Sequence, residues 1–74
     1  MTKYELLCML HKISKDYTVR FNYQGCIFYL MDFSKWSKKV QISDYSADHI
    51  LSVDIDDFVF TDLTILPRWY IMIS

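Results

Sequence analysis

The segment that most restricts the fold is Tyr17–Met31, two apolar-rich runs hinged on the chain's one glycine. Across residues 17–23, Tyr17, Val19, Phe21 and Tyr23 fall on one side and Thr18, Arg20 and Asn22 on the other. A period of two is that of a strand with one face buried. Gln24–Gly25 supplies a two-residue turn, because glycine takes the positive φ of such hairpins at no steric cost. A hinge there sets the register. Phe21 meets Phe28 and Val19 meets Leu30 toward the core, while Arg20–Tyr29, Asn22–Ile27 and Thr18–Met31 pair on the second face. That second face is half apolar, unusual for a sheet surface that meets only water, so another element or a partner is expected to cover it.

A lone hairpin is marginal in water and needs packing partners. The first is a helix expected over residues 3–14. Thr2 stands three residues before Glu5, the spacing of a capping box in which each side chain satisfies a free backbone donor at the helix start. Met9, Ile13, Leu6, Leu10 and Leu7 form one stripe, with Tyr4, Cys8, His11 and Lys12 opposite. After a loop at Phe33–Ser37, Lys38–Ser43 is expected as a third strand with Val40 and Ile42 inward.

Residues 46–53 admit two readings. Ser46-Ala47-Asp48 is a helix start, with Tyr45 stapling onto Ile50; alternatively Leu51, Val53 and Ile55 alternate as a strand. The start signal favours the helix. Asp57–Leu63 follows as a strand with Phe58 and Phe60 inward, Pro67 interrupts, and Arg68–Ile73 forms a final, almost uncharged strand. Such a strand must be paired to avoid aggregation, and it offers a route to a homo-oligomer by strand addition. The expected fold is α+β: an N-terminal helix packed on a small, mainly antiparallel sheet, as one domain over residues 1–74.

Composition turns attention to the surface. A 74-residue chain buries only about 60–65% of what its unfolded form exposes. Yet 53% of the residues are hydrophobic and 18% are Phe, Trp or Tyr, against an average apolar share of about 45–50%. The excess must lie outside, where contiguous apolar patches mark interaction sites. Residues 1–13 lack the pattern of a secretory signal, and the longest apolar run, Cys26–Met31, is far short of a membrane span. With two cysteines and no export signal, free thiols in a cytoplasmic protein are expected.

Charge divides by position. Residues 1–40 carry seven bases against three acids; residues 41–74 carry Asp44, Asp48, Asp54, Asp56, Asp57 and Asp62 against Arg68 alone. Gathered on one face, the aspartates would attract a basic surface. They are the candidate partner-binding charges, with Ile27, Tyr29 and Trp36 as apolar anchors. The alternative is a small nucleic-acid-binding module: Lys35, Lys38 and Lys39 flank Trp36 and, with Arg20, would hold phosphates while the indole stacks on a base.

Catalytic and metal chemistry find little footing. Asp54, Asp56 and Asp57 lack the glycine and the spread of ligands that a calcium loop needs. Cys8, His11, Cys26 and His49 are zinc-ligand types without the paired short spacings of zinc modules. A phosphate-cradling loop would need more than one glycine. No enzyme activity, metal or cofactor is expected.

The run Lys15-Asp16-Tyr17-Thr18-Val19-Arg20, joining the first helix to the first strand, resembles the corresponding run of small phage-encoded anti-CRISPR proteins that inhibit the nuclease of type II CRISPR systems. The likeness spans residues 1–43; the C-terminal half departs from the pattern. It implies an inhibitor acting in a host cytoplasm on a larger nucleic-acid-handling protein, with carboxylates placed where the nuclease reads target DNA. The resemblance assigns that role to no particular aspartate here.

Overall fold

A computed structural model of the chain describes residues 2–46 and 48–68. Helix α1 (Lys3–Ile13) opens as its first residues dictate: Thr2 Oγ1 accepts from Glu5 N at 3.1 Å, and Glu5 Oε1 accepts from Thr2 N at 3.4 Å. The hairpin follows as β1 (Tyr17–Tyr23) and β2 (Cys26–Ser34), with Gln24 and Gly25 at φ 52° and 81°. Its register is the expected one, including Phe21–Phe28, Arg20–Tyr29 and Asn22–Ile27. Strand β2 runs on through Phe33 and Ser34, where the sequence suggests a loop. Phe33 is buried against the core, and that burial favours extending the strand.

Strand β3 (Lys39–Ser43) points Val40 and Ile42 inward as expected. Beyond it the helix expected over 46–53 gives way to the competing reading. Ile50–Asp54 is a strand, β4, antiparallel to β3 with Val40 opposite Val53 and Ile42 opposite Leu51. The local start signal around Ser46 loses because a strand pairs the whole outer side of β3 and extends its apolar face; propensity is a weak prior against such pairing. Tyr45 stacks toward Tyr29 at 6.2 Å between ring centroids instead of stapling a helix.

The expected strand over 57–63 also shifts. Ile55–Asp57 is a turn of 3-10 helix, residues 58–60 are irregular, and β5 spans Thr61–Pro67. Sheet order explains this. It is β4-β3-β2-β1-β5, so β4 and β5 are opposite edges and residues 55–60 must cross the sheet. Four inter-strand spacings of about 4.8 Å make roughly 19 Å, the reach of six extended residues. The crossing runs over the helix side and carries Ile55 and Phe58 inward. Phe58 is fully buried, 5.3 Å from Phe21, 5.5 Å from Tyr23 and 4.9 Å from Phe60 between ring centroids. Of the final strand expected over 68–73, all but Arg68 lies outside the described residues.

Leu7 and Leu10 of α1 complete the core against Val19, Phe21, Leu30, Phe33, Val40 and Ile42. The helix stripe is rotated from the expected one: Met9 is 44% exposed, whereas Cys8 packs against the core and Tyr4 meets Phe33 edge-on at 5.6 Å. One helix is narrower than five strands, so it settles over β2 with its Leu7–Leu10 ridge, and Met9 falls outside.

Candidate protein-binding surface

The sheet face turned away from α1 carries the candidate site. Antiparallel partners project to the same side, so the registers line up Thr64, Arg20, Tyr29, Ser43 and Ile50 as one row across all five strands. Asn22 and Ile27 form the neighbouring pair. Tyr17, Thr18, Tyr29, Met31, Tyr45 and Arg68 line a groove of about 490 Å³ here. A register shift in β2 between Leu30 and Asp32 leaves Met31 without a partner on β3 and half-exposed at the groove. Arg68 is fixed by donating from Nη1 to the Lys15 carbonyl at 2.9 Å.

The groove's acidic rim is Asp44, held in the β3–β4 connection by a dense set of bonds. Its Oδ1 accepts from Asp48 N at 3.1 Å and from Ser46 Oγ at 3.2 Å, while Oδ2 lies 2.8 Å from His49 Nδ1. The histidine bond above all, with the Ser46 and backbone donors beside it, holds the Asp44 carboxyl below the ordinary carboxylate range. The sequence singles out Asp44 only as a charge; its function as the organiser of this turn emerges from the bonds.

The six aspartates do not gather. Asp44 and Asp48 sit before β4, and Asp54, Asp56 and Asp57 sit at its far end, about 13 Å away along the strand. Asp62 is on the opposite edge strand, beside Arg20, Ile27 and Thr64. Asp54 is moreover engaged by Lys39 at 3.6 Å, and Asp56 shares a shallow cleft with Lys3 and Lys38. The division of charge along the sequence thus becomes juxtaposition at that end of the sheet. Ile27, Tyr29, Asp44 and Asp62 are brought to one face, and Asp48 is tied to Asp44 through its backbone N–H. Trp36 stands apart at the tip of the β2–β3 turn, 98% exposed among Lys35, Lys38 and Lys39.

Sequence reasoning passed over Tyr45, Tyr17, Met31 and Arg68 as groove residues. One of the two readings of residues 46–53 spends Tyr45 on a helix staple, and the bulge that exposes Met31 has no sequence signal. A further cluster was also missed: Lys12, Lys15 and Lys35 meet beside His11 and Met9 on the outer side of α1. His11 Nε2 lies 2.9 Å from Asp32 Oδ1, tying the helix to β2.

Among the described residues no three His, Cys, Asp or Glu side chains come together to hold a metal. Cys8 and Cys26 are free thiols. No described helix is long and apolar enough to cross a membrane. No family model matches the chain, and no curated protein or solved structure matches it either.

Proposed function

We propose that the chain is a protein-binding module that uses the open sheet face, with Tyr29, Tyr45 and Ile27 as anchors and Asp44, Asp48 and Asp62 as its acidic rim. The observation that supports this most is the aromatic groove on that face, bounded by a carboxylate held ionised. Aromatic anchors in a partly enclosed groove are where interface energy concentrates, while rim charges govern encounter rate and salt dependence. The finer reading is a phage-type inhibitor that occupies a basic, nucleic-acid-handling surface of a larger protein such as a nuclease. It rests on the short resemblance at Lys15–Arg20 and on the acidic rim. No catalytic role and no cofactor belong to this reading.

The test is capture from a host lysate with the intact chain, with Tyr29→Ala, and with Asp44, Asp48 and Asp62 neutralised together. A partner retained by the intact chain, released by raised salt and lost with either variant supports the reading. Retention indifferent to both variants refutes it. A nuclease-inhibition assay on a type II effector decides the finer statement.

A second reading, nucleic-acid binding through Lys35, Trp36, Lys38 and Lys39 with Arg20, is favoured by the full exposure of Trp36 within its lysine turn. Against it, Lys39 is already paired with Asp54, and Arg20 lies on the open face, distant from the turn. A low-salt gel shift with single- and double-stranded DNA and RNA that shows no retention disposes of it.

A further inference from the structure

The outer edge of β4 has unused hydrogen-bonding capacity whose direction can be worked out. Asp44 N donates to His49 O at 3.2 Å, and Ile55 N donates to Lys38 O at 3.0 Å, at the two ends of the β3–β4 ladder. Antiparallel ladders alternate bonded with non-bonded pairs. With 44–49 and 38–55 bonded, the pairs Ile42–Leu51 and Val40–Val53 between them are bonded too. Ile50, Ser52 and Asp54 therefore turn their N–H and C=O groups away from β3, and among the described residues no strand pairs with that side.

The two edges of the sheet are treated differently. Strand β5 ends in Pro67, contains Asp62 at φ 56° and slips register against β1 between Arg20 and Asn22. Each of these features discourages strand addition. The β4 sequence Ile50-Leu51-Ser52-Val53-Asp54 has no proline, lysine or positive φ, and its Ile50 and Leu51 are 52% and 40% exposed.

We propose that β4 is a self-complementary edge through which two copies of the chain pair antiparallel about a two-fold axis at Ser52, fusing their sheets. The outward groups of Ile50, Ser52 and Asp54 then meet those of Asp54, Ser52 and Ile50 in the second copy, and every outward donor finds an acceptor. On the helix side Leu51 packs beside Val53 of the second copy, in a non-bonded pair where side chains approach most closely. The apolar rows of the two sheets become continuous. Registers shifted by two residues bring Asp54 beside Asp48 or Ile50 beside Asp56, and one shifted by four sets Asp54 against Asp54; the centred register pairs all five residues of β4 and keeps aspartate pairs out of the ladder. Just beyond each end of that ladder, Asp48 of one copy still approaches Asp56 of the other. This repulsion is screened by salt, so the dimer tightens as salt rises, opposite to the salt response of the rim-driven binding above.

The experiment is sedimentation of the intact chain over about 10 μM to about 1 mM, the range in which so small an interface associates, at low and at high salt. The mass is expected to rise with concentration toward two chains and stop there, with more dimer at high salt. In Ser52→Pro the lost N–H bonds nothing within the chain and Leu51 is already extended, as a residue before proline must be. Its circular dichroism should be unchanged while the dissociation constant rises at least tenfold. If that variant fails to fold, Ile50→Asp, which sets a carboxylate directly against Asp54 of the second copy, carries the test with the same expectation. A monomer at every concentration and salt, a dimer unaffected by a folded edge variant, or growth beyond two copies overturns the proposal.

Discussion

Replacing Phe58 with alanine tests the central claim about the fold, that an irregular crossing supplies the middle of the core. Phe58 has no regular secondary structure to lose, so its effect is one of packing. The ring is fully buried among Phe21, Tyr23 and Phe60, all within 5.5 Å between centroids. Truncating a buried phenylalanine costs about 3–5 kcal/mol, through lost transfer energy and the cavity left behind. Its three aromatic neighbours place it toward the upper end of that range, since such pairs add about 0.5–1.5 kcal/mol beyond area burial. A 74-residue domain has a total stability of only about 4–11 kcal/mol. Phe58→Ala should therefore remove a third or more of it, and leaves the domain unfolded at 37 °C where the intact chain sits low in that range. Urea denaturation followed by far-UV circular dichroism is the assay, because it reads the helix and sheet directly and does not depend on Trp36, which is exposed in the folded chain as well. Val59→Ala, at the 68% exposed neighbour, is the control and should stay within about 0.5 kcal/mol. A Phe58→Ala cost below about 1 kcal/mol, or one equal to that of Val59→Ala, would refute the crossing as a core element.

Gly25→Ala meets no atom within 4 Å of the added Cβ, so its cost is the left-handed backbone alone, about 1–2 kcal/mol in the same denaturation assay. Thr2→Ala removes the side-chain acceptor for Glu5 N and should cost about 1 kcal/mol, read as a lowered melting temperature and faster amide exchange in the first turn of α1. Asp44→Asn tests the turn through pH. The folded carboxyl lies below its ordinary value of 3.8, so its stabilisation is fully present above that pH and is lost as pH falls through the lower folded value. The stability difference between the intact chain and Asp44→Asn should accordingly shrink as pH falls below 3.8 and the carboxyl takes its proton; a difference that persists undiminished there contradicts the bonding described.

The alternation of Tyr17–Tyr23 and the Gln24–Gly25 hinge were enough to give the hairpin and its register, and Thr2 with Glu5 was enough to start the helix. These are local matters: one turn conformation, one period, one pair of side chains three residues apart. The path of residues 46–60 was not legible in the same way. Ser46 signals a helix start, yet β4 forms because the outer side of β3 offers a complete ladder and an apolar face, neither of which exists until β3 is in place. The crossing of 55–60 follows only from the sheet order, which sets the span those residues must cover and makes Phe58 a core residue without a strand around it.

The candidate site divides along the same line. Tyr29 and Ile27 could be placed together from the hairpin register, since period two assigns a face once the hinge is known. The aspartates could not, because a run of acids in sequence carries no information about which edge each strand will occupy. By itself the sequence determined the helix, the hairpin, the apolar second face and a chain of nearly balanced charge. Tertiary structure alone decided that Asp44 would organise a turn, that Lys39 would meet Asp54, and that β4 would be an edge strand. Those outcomes depend on which strands become neighbours, a choice made by burial summed over the whole sheet.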